Sequence, residues 1–150
     1  MINIQKNTSK LTIKIKLAHI ITKLELGGAQ LNTIYTVNHY SEKQEYEVYL
    51  IYGSGGIIDS SKINSKVKCI EIKQLSRHIT VFSDLFAFIK LFLICRKYRF
   101  DIVHTHSSKA GILGRWAAKL AGVKKIIHTV HGWGFTPAQP KIIQKLFIFL

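Results

Sequence analysis

Two histidines and a short run of polar residues are the side chains of this sequence best suited to chemistry. His106 and His131 each end a short apolar segment, and Ser107, Ser108 and Lys109 follow the first of them directly. Histidine exchanges a proton near neutral pH, and free amides at the start of a helix bind anions. The pattern predicts a site for an anionic ligand beside an imidazole.

The elements that must position these residues are strands and helices of an α/β domain. Both histidines fall at the carboxyl ends of predicted strands, and in a parallel sheet those ends meet at one edge, where open α/β sheets bind ligands. The strands are predicted over 14–22, 45–52, 67–72, 101–106 and 125–131, and the helices over 30–40, 84–99, 109–121 and 142–150. This alternation predicts a Rossmann-like parallel sheet with helices on both faces.

A glycine-rich turn, Gly27-Gly28-Ala29-Gln30, follows the first predicted strand. Glycines at this position let a phosphate or a sugar approach the backbone amides. The dinucleotide fingerprint GxGxxG is absent, and no acidic residue ends the second strand. An ordinary turn between a strand and a helix is the alternative to a binding role.

Other candidate groups are expected to be structural. His104 and His106 share a strand face, but no third ligand has matching spacing, so no metal site is expected. The histidine at the strand end is expected to be the exposed one. Cys69 and Cys95 are expected to be buried free thiols of a reducing compartment. The apolar helix 84–99 is expected to be buried in the core, with a helix at a membrane surface as the alternative.

The charge balance favours anionic partners. The chain has 22 Lys and Arg against 8 Asp and Glu, a net charge of +14. The predominance of Lys over Arg argues against nucleic acid, because Arg forms the bidentate contacts to phosphates and bases. The N-terminus lacks a signal-peptide pattern, and no apolar stretch reaches the ~20 residues that cross a bilayer. Residues 1–12 are expected to be a flexible leader, and 13–150 a domain truncated at its C-terminal end.

Three segments together resemble family 4 of the retaining glycosyltransferases, which have the GT-B fold. They are HIITKLELGGAQ, DIVHTHSSKAGILGRWAAKLAGV and IIHTVHGWGF. The resemblance covers roughly residues 15 to 136 and is closest to bacterial enzymes that build capsule, exopolysaccharide or lipopolysaccharide. It implies the N-terminal, acceptor-side domain of an enzyme that transfers a sugar from a nucleotide-sugar with retention. It implies no cofactor and no obligatory metal ion.

The resemblance also implies roles for single residues. His131 matches the cleft histidine that contacts the donor sugar and is the implied catalytic residue. The implied substrate-binding residues are Gly27, Gly28, Gln30, His106, Ser107, Ser108, Lys109 and Gly132. The implied acceptor is a glycan, often linked to a lipid diphosphate. The implied location is cytoplasmic, at the inner face of the bacterial inner membrane, where anionic lipids attract a basic surface.

Two other hypotheses remain open. The donor-binding domain of the family has no counterpart in these residues, and catalysis by positioning needs both walls of the cleft. The isolated chain is therefore expected to be inactive. One alternative is a non-catalytic membrane-docking subunit that recruits a separate donor-binding chain. The other is a sugar epimerase of similar fold, which would need a carboxylate in the cleft, whereas Asp84 is predicted at a helix start away from the strand exits.

Overall fold

A computed structural model describes residues 13–56 and 60–131 of the chain. In these ranges strands and helices alternate as β1 (Ile15–Lys23), α1 (Gly28–Glu42), β2 (Tyr46–Gly53), β3 (Lys68–Ile72), α2 (Val81–Tyr98), β4 (Ile102–His106), α3 (Ser108–Leu120) and β5 (Lys125–Thr129), with a 3-10 turn at Ser60–Lys62. The predicted leader, the predicted helix over 142–150 and Gly132 lie outside the described residues.

The strands form one parallel sheet in the order β3-β2-β1-β4-β5. The chain builds outward from β1 in one direction through β2 and β3, and then in the other direction through β4 and β5. The direction reverses between β1 and β4, so this pair forms the topological switch point, beyond which open α/β sheets bind ligands. The predicted Rossmann-like parallel sheet is confirmed.

Helices cover both faces of the sheet, as predicted. One core contains Ile21, Val37 and Leu50, which join α1 to β1 and β2. The other core contains Ile20 and Leu91 and includes residues of α2 and α3. A strand that is covered on both faces has no side in contact with solvent, which explains why β1 is apolar along most of its length.

Small residues bring α3 close to the sheet. A Cβ added to Gly114 would lie 2.9 Å from Thr105 Cγ2 and 3.2 Å from Ile20 Cδ1. The buried residues of α3 are Ala110, Gly111, Gly114, Ala117 and Ala118. The small face of this helix therefore serves packing.

Helix α2 differs from the prediction that it is buried in the core. It begins at Val81, and its buried residues are Ala87, Leu91 and Cys95. These three are flanked by side chains that are partly buried against the core, namely Phe88, Phe92, Ile94 and Tyr98. The opposite side of the helix is apolar but lies in solvent. Its exposed apolar side chains are Val81, Phe82, Leu85, Phe86, Ile89 and Leu93.

Two smaller predictions are also corrected. Strand β5 ends at Thr129, so His131 lies beyond the strand and not in it. Cys69 is exposed on β3, a strand at the edge of the described sheet, whereas Cys95 is buried in α2 as expected. No helix in the described ranges is long and apolar enough to cross a membrane.

Candidate functional site

A cavity of about 710 Å³ opens where β1 and β4 end. It lies at the switch point of the sheet, and the starts of α1 and α3 contribute to its wall. Six residues predicted from the sequence line it, namely Gly28, Gln30, Ser107, Ser108, Lys109 and His131. The expectation that the first glycine turn and His131 share one edge is therefore confirmed.

Three predicted site residues do not line the described cavity. Gly27 precedes α1, and a Cβ on it would lie 2.7 Å from Gln30 Oε1, so the glutamine side chain folds back over it. His106 is only 1% exposed and lies behind the cavity wall. The histidine at the strand end is thus buried, contrary to expectation, because other imidazole rings surround it. These are the rings of His19, His104 and His131. Gly132 is outside the described residues.

Thr22 is a site residue that sequence reasoning missed. Its Oγ1 lies 2.7 Å from Ser107 Oγ and accepts a hydrogen bond of 3.2 Å from the amide of Ala110. Ser107 has φ 62° and ψ 157°, a backbone conformation that residues other than glycine rarely adopt. Such strain persists only where neighbouring groups fix it, and Thr22 supplies the side-chain hydrogen bonds that do so here.

The cationic side chains at the cavity are paired with carboxylates. Lys109 forms an ion pair with Asp84 of α2 and donates a hydrogen bond to the carbonyl of His78. Arg77 lies 3.1 Å from Glu25. Asp84 lines the cavity, which corrects the expectation that it lies away from the strand exits. Lys109 is therefore held by Asp84, and the anion-binding capacity of this wall rests mainly on the helix amides.

Histidines form a hydrogen-bonded row that runs from His131 at the cavity into the interior of the domain. The Nδ1 atom of His19 lies 3.0 Å from Nε2 of His106, and Nδ1 of His106 lies 3.0 Å from Nε2 of His131. Burial, and next the nearby His104, lower the pKa of His19 to about 3. Burial and the surrounding imidazoles lower the pKa of His106 to about 2. Both rings are therefore neutral at physiological pH.

A third histidine, His19, lies on the same face of the sheet as His104 and His106, which the sequence did not reveal. His19, His104 and His106 offer ring nitrogens that all lie within 4.8 Å of one another. His19 pairs with His104 across β1 and β4, a register that spacing within one strand cannot show. His19 and His106 are hydrogen-bonded to each other, and His104 Nε2 lies 2.7 Å from Thr129 Oγ1. These three are the described residues that could hold a metal ion.

Comparison with known proteins places the chain in a family. The profile of Glycosyltransferase Family 4 matches residues 26–150. The chain belongs to glycosyltransferase family 4. The matched residues include the starts of α1 and α3 and His131.

Two bacterial proteins are similar to this family 4 chain. One is the UDP-Gal:alpha-D-GlcNAc-diphosphoundecaprenol alpha-1,3-galactosyltransferase of Escherichia coli, which is 35% identical over 137 residues, 91% of this chain and 35% of that protein. The other is the capsular polysaccharide biosynthesis glycosyltransferase CapH of Staphylococcus aureus, 31% identical over 94 residues, 61% of this chain and 24% of that protein. The chain thus spans about a third or less of the length of these relatives.

Solved structures show the same fold at low sequence identity. A glycosyltransferase from Rickettsia africae matches 89% of this chain and 33% of its own with a TM-score of 0.66 and 21% identity. Sucrose-phosphate synthase from Thermosynechococcus elongatus matches 90% of this chain and 39% of its own with a TM-score of 0.67 and 13% identity. A UDP-GlcNAc 2-epimerase from Methanocaldococcus jannaschii matches 89% of this chain and 36% of its own with a TM-score of 0.60 and 13% identity. These matches establish fold and not chemistry.

Proposed function

We propose that this family 4 chain is the acceptor-side domain of a retaining glycosyltransferase. The enzyme would transfer a sugar from a nucleotide-sugar to a glycan acceptor in the synthesis of a bacterial surface polysaccharide. The observation that carries the proposal is the convergence of the α1 start, the α3 start and His131 on one cavity at the switch point. Two helix N-termini provide amides for an anionic diphosphate, and His131 provides a polar contact beside them.

The proposed acceptor is a sugar linked to a lipid diphosphate. The Escherichia coli relative, which covers most of this chain in the alignment, is named for a diphosphoundecaprenol-linked acceptor. The helix amides at Gly28 and Ser108 suit the diphosphate, and Ile112 and Leu113 give the cavity an apolar side. The nucleotide-sugar is proposed as a co-substrate, without a further cofactor or an obligatory metal ion.

The proposed location of the domain is the cytoplasmic face of the inner membrane, with α2 against the bilayer. Phe82, Phe86 and Ile89 form an exposed apolar stripe along this helix. The stripe continues to Ile79, which is 87% exposed and also lines the cavity. A lipid-linked acceptor could therefore keep its chain in the bilayer while its diphosphate enters the cavity.

Charge around the stripe supports an anionic bilayer as the partner. Lys90, Arg96 and Lys97 are exposed on α2, and Arg77 precedes it at the cavity. Each basic residue near an anionic membrane contributes about 1 kcal/mol of attraction. An apolar stripe flanked by cations is the pattern of helices that lie in the membrane interface.

We propose that the 150 residues alone have no appreciable transferase activity, because positioning of two substrates needs a donor-binding wall. The domain would act with that wall in the same polypeptide or with a separate donor-binding chain. In the second case the chain would be the membrane-docking subunit of a two-chain glycosyltransferase.

The test is binding of a short-chain lipid-diphosphate N-acetylglucosamine to the ¹⁵N-labelled chain, followed by amide shifts. The expected result is a saturable shift at Gly28, Ser108 and Lys109, with the same lipid lacking its diphosphate-sugar as the control. No shift at the cavity would contradict the acceptor-side assignment. A parallel assay with UDP-sugars should show no transfer by the chain alone, and measurable turnover would contradict the proposed inactivity.

A further inference from the structure

The row of His19, His106 and His131 restricts where each ring holds its proton. A neutral imidazole has one N–H and one bare nitrogen, so it donates at one side and accepts at the other. His106 is bonded to an imidazole at both of its nitrogens. It is 1% exposed and packed among imidazoles, where a second proton would place an unpaired charge in the interior, so it is neutral and cannot donate in both directions. The two hydrogen bonds must therefore run in the same direction.

The buried end of the row selects the direction. His19 is 1% exposed, and its Nε2 has no hydrogen-bond partner among the residues that the structure describes. If the bonds ran inward, this nitrogen would carry a buried N–H without an acceptor. A buried polar group without a partner is costly, and in the backbones of proteins buried N–H groups without partners are rarer than under-used acceptors. The outward direction leaves only a bare nitrogen there.

We infer that His19 donates to His106 and His106 donates to His131, so that His131 accepts at Nε2 and holds its own proton on Nδ1. His131 is exposed at the cavity, and its Nδ1 bonds to no residue in the described ranges. It thus offers the ligand an N–H donor and not a lone pair. The matching ligand group is an oxygen acceptor, on a phosphate or on a sugar hydroxyl. His19 and His106 are positioning residues, which act on the ligand only through His131.

The experiment measures the tautomers directly. Long-range ¹H–¹⁵N correlation spectra of the chain at pH 7.5 distinguish protonated from bare ring nitrogens in each histidine. The expected result is Nδ1–H in His19, His106 and His131. Nε2–H in His131 would overturn the inference. A change of the three ring spectra on adding EDTA would also overturn it, because it would show a metal ion on nitrogens that the inference assigns to protons.

Substitution of His106 separates positioning from packing. The His106→Leu variant removes the donor to His131, so the Nε2–H form of His131 should become detectable. His106→Asn places an amide nitrogen near the former Nδ1 and should restore the single Nδ1–H form. His39→Asn, on the exposed side of α1, is the matched control and should change nothing. If His106→Leu folds and leaves His131 entirely as Nδ1–H, His106 does not set the tautomer. If it does not fold, the unsubstituted chain and His106→Asn decide the question.

Two further titrations identify the oxygen that His131 meets. Inorganic pyrophosphate and N-acetylglucosamine are added separately while the His131 ring nitrogens are followed. A shift of Nδ1 with pyrophosphate assigns a phosphate oxygen, and a shift with the sugar assigns a hydroxyl oxygen. A response to neither contradicts the donor role toward a ligand. The tautomer itself does not depend on transferase activity, so its failure and the failure of the proposed function are distinguishable.

Discussion

The hydroxyl oxygens of Thr22 and Ser107 lie 2.7 Å apart, although the two residues are 85 positions apart in the sequence. Thr22 belongs to β1 and Ser107 follows β4, so this contact joins the two strands of the switch point at the cavity. It also fixes the backbone of Ser107, whose φ is 62°. The same two side chains thus form a structural hydrogen bond and line the proposed ligand site.

The Thr22→Val variant should lower the free energy of unfolding by about 2 kcal/mol, because it leaves the buried amide of Ala110 without its acceptor. Valine has the shape of threonine, so the loss isolates the hydroxyl. Urea unfolding followed by circular dichroism measures it. Thr22→Ser keeps the hydroxyl and should retain more of the stability, and equal losses in the two variants would contradict the role of Oγ1.

Gly53, the last residue of β2, should not tolerate a side chain. A Cβ on Gly53 would lie 1.6 Å from the carbonyl oxygen of Leu75 and 2.3 Å from that of Thr22. Backbone atoms cannot move aside as a side-chain end can, so Gly53→Ala should cost about 3 kcal/mol or more. Gly28→Ala is the control, because nothing lies within 4 Å of its Cβ and alanine favours a helix by up to ~1 kcal/mol. Equal urea midpoints for the two variants would contradict the packing.

Lowering the pH should reduce the free energy of unfolding because of the buried histidines, at pH values above those at which carboxyl groups titrate. The folded pKa values of His19 and His106, about 3 and about 2, lie below the ordinary value of 6.5. The unfolded chain therefore binds more protons below pH 6.5, and stability falls as pH falls. Each group contributes at most about 1.4 kcal/mol per pH unit.

Urea unfolding between pH 7.5 and pH 5.5 tests this prediction. The free energy of unfolding should be nearly constant at the upper end and should decrease below pH 6.5. His106→Asn removes one titrating group and should give a shallower decrease, whereas His39→Asn should keep the original one. A His106→Asn profile parallel to that of the unsubstituted chain would contradict the assignment.

The two cysteines should differ in reactivity. Burial raises the pKa of Cys95 to about 12, and this thiol is 1% exposed, whereas Cys69 is exposed on β3. Thiolate formation and access control reaction with disulfide reagents. Ellman's reagent should label one thiol in the native chain and two in guanidinium chloride. Cys69→Ser should abolish the native reaction, and rapid native labelling of two thiols would contradict the burial of Cys95.

The exposed apolar stripe of α2 should be responsible for binding of the chain to membranes. Exchanging Phe82 and Phe86 for serine removes two side chains whose burial contributes about 1.5–3 kcal/mol each, so binding should fall more than tenfold. Flotation with vesicles containing phosphatidylglycerol measures the loss. Leu120→Ser is the control, because Leu120 is also exposed, at 60%, but belongs to α3. Equal flotation of the double variant and the control would contradict the proposed face.

The order of strands and helices was predictable because apolar runs and glycine turns are local features. The exposed stripe of α2 was not, because an apolar helix contains no information on how many of its faces meet a neighbour. Residues such as Phe82 and Phe86 resemble core residues in sequence. They are exposed because α2 turns a different side, centred on Ala87, Leu91 and Cys95, toward the domain.

The site was predictable where it depends on parallel strands alone. His131 and Gly28 meet at one edge because all carboxyl ends point the same way. Thr22, His19 and Asp84 could not be found, because their contacts depend on β1 lying next to β4 and on where α2 begins. No local spacing encodes strand order, so the residues that fix Ser107 and His131 become visible only in the folded chain.

The placement of β1 between β2 and β4 also sets the order in which the domain can be completed during synthesis. The ribosome releases β1 long before β4. The edge of β1 that pairs with β4 therefore has unpaired amides and carbonyls until residue 106 emerges. Closing such a long loop is slow compared with forming a helix. In the interval β1, which has six buried residues in the folded domain, is exposed on that edge, and the two walls of the cavity have not yet come together.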